Sequence, residues 1–319
     1  MKLLLIREQG RAARRRAGGI YRSGVEIYRV LTSLGWEVVT HRDKSPLPEI
    51  PEGTDVVWHY GDYRHVDDAV AAAIEADVPI VVTSSFTNRG DSAKLLSAWW
   101  EGWGRDPRIF FSTWSSLALF DPRLQEISSQ LVMLPKTLRL GGKSVPLRGR
   151  SGFALGDLTK LQMPKVMGGL RLEEVCVRLR EEWPEEPLFC FEQHTPLGPP
   201  PEEVTLVPYQ QDLLKWLGRR KLLISLVVGE TFAMVPMEAQ HVGTPVLYRH
   251  QPQSLSQTVG QSGVLFRDLD ELVGAARILL EPVTWSAYSK AGKSNYLGHQ
   301  HYGVGMDLGL REVVRRARS

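Results

Sequence analysis

The sequence, 319 residues long, predicts an α/β protein made of two consecutive, doubly wound domains facing across a cleft. Three observations carry this expectation. Short apolar runs of strand length alternate with amphipathic helical stretches through residues 1–120, which argues for a parallel sheet covered on both faces. A Gly-, Pro- and Lys/Arg-rich stretch, 135–150, interrupts the alternation, which then restarts. The length exceeds one core of about 150 residues and suits two. The expected division is 1–148, 149–290 and a helical segment over 291–319 that crosses back to the first domain.

In chain order, Leu3–Arg7 reads as a buried strand. Residues 23–34 place Val25, Ile27, Tyr28, Leu31 and Leu34 at near-helical spacing, and Gly35 is a natural C-cap. Glu37–Thr40 and Asp55–Trp58 read as strands, 66–76 as an alanine-rich helix, and Val78–Thr83 and Arg108–Ser112 as further buried strands. Past the interruption, strands are expected at 153–155, 188–191, 205–207, 222–227 and 245–248. Helices fall around 170–182, 212–217, 235–242 and 269–280. The proline-rich run Thr195–Pro201 is a rigid surface connection, because proline cannot join a central ladder.

The composition, 43% hydrophobic and 24% charged, excludes a disordered chain, a fibre and a small disulfide scaffold. No apolar run approaches the roughly 20 residues that span a bilayer. The opening run, Met1–Ile6, is cut by Arg7-Glu8 and fits a first strand better than a leader. Cys176 and Cys190 make no framework and have no zinc spacing, so buried thiols and a cytoplasmic location are expected.

The net charge of +3 hides an uneven distribution. Arg7, Arg11, Arg14, Arg15, Arg16 and Arg22 surround Gly18-Gly19 in the loop after the first strand, against the single acid Glu8. Glycines there let backbone approach a ligand and open a helix N-terminus, which favours anions. The loop is either a solvated basic segment or a contact for an anionic acceptor, with Arg14, Arg15 and Arg16 as its candidates. Trp99, Trp100, Trp103 and Trp114 read as core, with a stacking surface as the alternative.

The most informative stretch is Gly229–Val246. It follows the apolar strand at 222–227, opens a helix near Met234, carries Pro236 in the first turn and ends at Gly243. Glu230 lies in the strand-to-helix connection and Glu238 on the helix. Carboxylates accept hydrogen bonds from sugar or ribose hydroxyls, while free amides at Phe232, Ala233 and Met234 and the helix dipole suit a phosphate.

This stretch resembles the signature E-x-F-G-x-x-x-x-E-A-x-x-x-G-x-P-V of retaining glycosyltransferases of family 4. Val259–Phe266 resembles the family's V-x-x-G-x-x-G-x-L-F, and Asp270–Leu280 its following helix. Gly18-Gly19 through Val38 is similar to its G-G-x…L-x-x-x-G-H-x-V. The resemblance implies a GT-B-like pair of Rossmann-like domains and transfer of a sugar from a nucleoside diphosphate with retention, without metal or cofactor. It assigns Glu238 to the ribose hydroxyls and Glu230 to the transferred sugar. Thr231, Phe232 and Ala233 contribute backbone, and Gly18 and Gly19 leave room for donor phosphate. His59 is the candidate for the family's histidine near the donor sugar, with a structural role as its alternative.

The family's G-R-L-x-x-x-K is replaced here by Gly156–Gln162. Asp157 stands for the arginine and Gln162 for the lysine, and Lys160 and Lys165 are the candidate substitutes. The acceptor is unidentified. A hydroxylated base in DNA, a phosphate-bearing glycan or a lipid surface all suit the basic loop. A non-catalytic relative that binds sugar nucleotides is the remaining alternative, raised by Asp157 and Gln162.

Overall fold

The computed structural model describes residues 1–7, 19–42, 49–60, 65–83, 92–113, 122–134, 146–192, 195–208, 213–228, 234–250, 262–300 and 302–319. The chain divides into two compact units, Met1–Thr137 with Gln300–Ser319, and Leu138–His299.

The first unit is a six-stranded sheet of β1 (Lys2–Arg7), β2 (Glu37–Arg42), β3 (Val56–Tyr60), β4 (Ile80–Thr83), β5 (Ile109–Thr113) and β6 (Leu131–Met133). Its order is β2-β1-β3-β4-β5-β6, and every pairing is parallel. Strands β3, β4 and β5 are buried at every position, as their largely apolar sequences favour. Helix α1 (Gly19–Ser33) buries Ile27 and Leu31 and exposes Tyr28. Helix α2 (Val66–Glu75) adds Val66, Ala69, Val70 and Ala73 to one face of the sheet. Helix α3 (Ser92–Gly102) adds Leu96 to the same face. The described tryptophans of this region belong to that packing. Trp99 stacks on Trp103 at 5.5 Å and Trp103 on Phe111 at 6.2 Å, while Trp103 Nε1 donates to Asp67 at 2.9 Å.

The second unit is a sheet of β7 (Phe153–Asp157), β8 (Leu188–Glu192), β9 (Val204–Pro208), β10 (Leu222–Ser225), β11 (Val246–Arg249) and β12 (Gly263–Phe266). Its order, β12-β11-β10-β7-β8-β9, is again parallel throughout. Two short helices, α4 (Leu158–Leu161) and α5 (Pro164–Met167), follow β7. Then come α6 (Leu172–Glu182), α7 (Leu213–Leu217), α8 (Met234–His241), α9 (Leu269–Leu280) and α10 (Pro282–Gln300). Helices α6 and α9 pack on one face with Phe153, Ile224 and Phe266. Helices α7 and α8 cover the other, against Ala154, Leu223 and Tyr248. These two layers read in the sequence as strand runs with no polar alternation.

The last helix, α11 (Tyr302–Ala317), belongs to the first unit and packs on α1, β3 and β6. Small residues bring it close. A Cβ at Gly309 would lie 2.7 Å from Leu134 Cδ2 and 2.8 Å from the Met133 carbonyl oxygen. Asp307 accepts from Trp36 Nε1 at 2.7 Å, and Arg318 donates to Asp55 at 3.1 Å. No described helix is long and apolar enough to cross a membrane.

Candidate functional site

In a doubly wound sheet, ligands bind outside the carboxyl ends of the strands, where the order reverses. In the second unit the chain runs from β7 outward to β8 and β9 and returns to β10 on the other side of β7. The reversal therefore lies between β7 and β10, and the residues that follow these strands form the candidate site.

Strand β7 ends in Gly156-Asp157, with a register irregularity between Ala154 and Gly156. Gly156 has φ 120°, which glycine alone adopts without strain. Asp157 is 5% exposed and leads straight into α4. Lys160 is half-buried on α4. Lys165 belongs to α5, and its side chain lies outside the described residues. Gln162 is committed elsewhere. Its Nε2 donates to the carbonyls of Gly198 and Pro199 at 2.9 and 3.2 Å, and its Oε1 accepts from Leu197 N at 2.8 Å. The amide thus pins the proline-rich connection, a job a lysine could not do with both donor and acceptor.

Strand β10 leads to α8 through a connection whose residues Glu230, Thr231, Phe232 and Ala233 lie outside the described residues. Helix α8 itself is buried from Pro236 to Gln240, and Glu238 is 0% exposed. The helix is held at its C-terminus. The amide of Thr244 donates to Ala239 O at 2.8 Å and that of Gly243 to Gln240 O at 2.9 Å. With Gly243 at φ 69°, this pairing is a Schellman cap. Arg150, 4% exposed, supplies the next shell of restraint. It donates to the carbonyls of Val242 at 2.9 Å and Arg220 at 3.1 Å and to the Thr244 hydroxyl, with its guanidinium 4.7 Å from the Trp285 ring centre. Burial pulls its pKa down to about 10, still well above neutrality. Gln240 adds hydrogen bonds to Ser262 O at 2.9 Å and to Tyr248 Oη at 3.3 Å. Glu238 is therefore presented by a helix whose backbone is fixed from outside the helix.

Arg249, the last residue of β11, belongs to no motif of the sequence. Its guanidinium lies 5.9 Å from the Phe266 ring centre, and its Nη2 donates to Gly168 O at 3.4 Å. A basic residue at the carboxyl end of a strand beside the reversal was the available signal.

In the first unit the order reverses between β1 and β3. Arg7 and Tyr60 pair in register there, under α1. A Cβ at Gly24 would lie 3.2 Å from Arg7 Cδ, so this glycine lets the helix close over the arginine. His59 is 1% exposed near the end of β3, paired in register with Ile6 and Val82. On the other face of the same strand, Trp58 Nε1 donates to Thr83 Oγ1 at 3.0 Å, and Ser112 Oγ lies 3.4 Å from the same oxygen. Gly19 is the first residue of α1. Gly18, Arg14, Arg15 and Arg16 lie outside the described residues. Among the described residues, no group of three or more His, Cys, Asp or Glu is arranged to hold a metal ion.

No protein-family model matches the chain, and no curated protein matches it in sequence. Solved structures match it in fold. Anabaena HepE in complex with UDP and glucose is 11% identical, over 97% of this chain and 98% of that one, with a TM-score of 0.65. The sucrose-phosphate synthase of Thermosynechococcus elongatus is 13% identical over 100% of both chains, with a TM-score of 0.65. A glycosyltransferase from Rickettsia africae is 10% identical, over 99% of this chain and 97% of that one, with a TM-score of 0.62. At such identities the likeness is one of fold, and the fold that this chain shares with them is that of the GT-B glycosyltransferases.

Proposed function

We propose that this protein is a metal- and cofactor-independent glycosyltransferase that moves a hexose from a nucleoside diphosphate to an acceptor with retention of configuration. The observation that carries the reading is the buried Glu238 on the helix that follows the reversal strand, in a fold shared with a protein whose structure holds UDP and glucose. Family 4 membership rests on the Glu230–Glu238 spacing and its flanking glycine and proline.

In this reading Glu238 accepts hydrogen bonds from the ribose hydroxyls and Glu230 from the transferred sugar. The backbone of Thr231, Phe232 and Ala233 lies along the diphosphate, and Gly18 and Gly19 leave space for it. Lys160 and Lys165 oppose the charge that develops as the anomeric carbon–oxygen bond breaks. The acceptor oxygen bonds to the anomeric carbon from the same face, and its proton passes to the departing phosphate oxygen. His59 is the first unit's candidate for contact with the sugar. Arg14, Arg15 and Arg16 serve an anionic acceptor, and the protein acts in the cytoplasm.

The test is turnover and binding of UDP-, GDP- and ADP-sugars by the wild type and by Glu238→Ala. Transfer or donor hydrolysis is expected with one of them. Glu238→Ala is expected to weaken that donor by about 10- to 100-fold, the worth of hydrogen bonds to a charged group. A wild type that binds none of these donors overturns the reading. A specific observation favours a second one, a non-catalytic sugar-nucleotide-binding relative. Asp157 and the loop-bound Gln162 leave no cation at the two positions where family 4 carries them. Tight binding without turnover would select it. Acceptor choice is read by transfer to duplex DNA carrying a hydroxylated base and to anionic vesicles, each repeated with Arg14, Arg15 and Arg16 replaced by Ala.

A further inference from the structure

We propose that Arg249 is a phosphate-binding residue of the second unit, whose guanidinium takes oxygens of the donor's diphosphate. This rests on the nucleotide-sugar reading above. A guanidinium carries five N–H donors. In Arg249 the described partners are one carbonyl, Gly168 O, at the long distance of 3.4 Å, and the face of Phe266. Its Nη1 is buried and makes no hydrogen bond. Among the described residues, no carboxylate lies within ion-pair distance of it.

The contrast with Arg150 in the same unit is instructive. Arg150 is more deeply buried, yet both its Nη atoms are used on carbonyls and a hydroxyl. That is how a structural arginine is satisfied. Burying a cationic N–H without an acceptor costs free energy, and an incoming anion removes that cost. Burial already lowers the Arg249 pKa, with Asp268 and Glu271 opposing the shift. The side chain stays charged at neutral pH.

The position supports the same role. Arg249 ends β11, the strand next to β10, at the carboxyl edge where the order reversal places a ligand. Gly168, which it touches, has φ 55°, and a Cβ there would sit 3.0 Å from Val228 Cγ2. Val228 is the last described residue before the Glu230 connection. Through Gly168, a fork-shaped cation is thus linked to Val228, two residues before Glu230 in the sequence. Phosphate oxygens match that fork in a bidentate manner. The cation that Asp157 and Gln162 do not provide then comes from a different strand.

The test uses the full chain and isothermal titration with UDP, uridine and inorganic pyrophosphate, on wild type, R249M and R249K, with thermal melts of each. R249M keeps a stem to lie on Phe266. Its affinity for UDP and pyrophosphate is expected to fall about 10- to 100-fold, with uridine unchanged. R249K, which keeps the charge and loses the fork, is expected to fall less. A structural role alone would move the melts and leave the difference between UDP and uridine intact. Unchanged UDP affinity in R249M overturns the proposal and leaves the glycosyltransferase reading standing. Should R249M unfold, R249K decides, and unchanged affinity in it overturns the assignment. A wild type that binds pyrophosphate but no nucleotide, with the binding lost in R249M, supports Arg249 and overturns the donor reading. A wild type that binds neither overturns both.

Discussion

The two units use the same parts in different orders. In the first sheet the chain makes one excursion, from β1 to β2, before it crosses to β3. In the second it makes two, to β8 and β9, before it crosses to β10. The first reversal consequently has two strands on one side and four on the other, and the second sits at the centre, with three strands on each side. The second is the order of dinucleotide-binding sheets and the first begins like the flavodoxin order. Their polar interiors differ in step. The second unit spends its buried donors on fixing a helix: Arg150, Thr244 and Gln240 all hold α8 or the turn after it. The first keeps short bridges between strands, such as Trp58 to Thr83. Rigidity is thus placed behind the helix that carries Glu238 in one unit and within the sheet in the other.

Independent probes can break this comparison. The largest effect is expected for Gly152→Ala in the second unit. Gly152 has φ 65°, and a Cβ there would collide with the backbone oxygen of Pro187. A loss of about 3–5 kcal/mol is expected. The chain's two cysteines, Cys176 and Cys190, are both in this unit and both fully buried, so thiol labelling reports its opening alone. Burial pushes the Cys176 thiol up to about 12 and raises that of Cys190, so labelling requires opening. Gly309→Ala strikes the first unit through the contact of α11 with Leu134 and Met133. A cost of about 1–3 kcal/mol is expected in tryptophan-monitored unfolding, with thiol labelling unchanged. Faster labelling in this variant would mean that the units open together. The smallest effect concerns Glu312 on α11. Hydrogen bonds from Arg315 and Arg316 hold its carboxyl at about 2, below the ordinary 4.5. Its contribution is therefore full above the ordinary value and is lost as pH falls through about 2. An NMR titration of this exposed side chain should show that midpoint, and one near 4.5 would remove the pairing.

The strands legible in the sequence are those buried on both faces, such as β3, β4 and β5, because each opens on an unbroken apolar run, Val56–Trp58, Ile80–Val82 and Ile109–Phe111. Strand β6 has only Leu131–Met133 to show, and β12 is half-exposed along Gly263–Leu265, so neither carried a strand signal of its own. Helix α1 starts at Gly19, ahead of the apolar periodicity, which begins at Val25. At the candidate site, the helix bearing Glu238 was legible because Pro236 and Gly243 punctuate it. Arg249 was not, since what sets it apart is a carbonyl 81 residues away and the ring of Phe266 on the neighbouring strand. Likewise Gln162 looked like a lost lysine until its partners at 197–199 showed an amide with its own task.

The placement of α11 has a consequence for biosynthesis. The ribosome makes every residue of the second unit before it makes the helix that completes the first. Until then the first sheet lacks Met306, Leu310 and Val313, all fully buried in the finished protein, and Trp36 waits for Asp307. The nascent first unit is therefore held open, with apolar surface uncovered, for as long as 138–299 takes to translate. Order of synthesis and order of completion run in opposite directions, which makes the first domain translated the last one able to close.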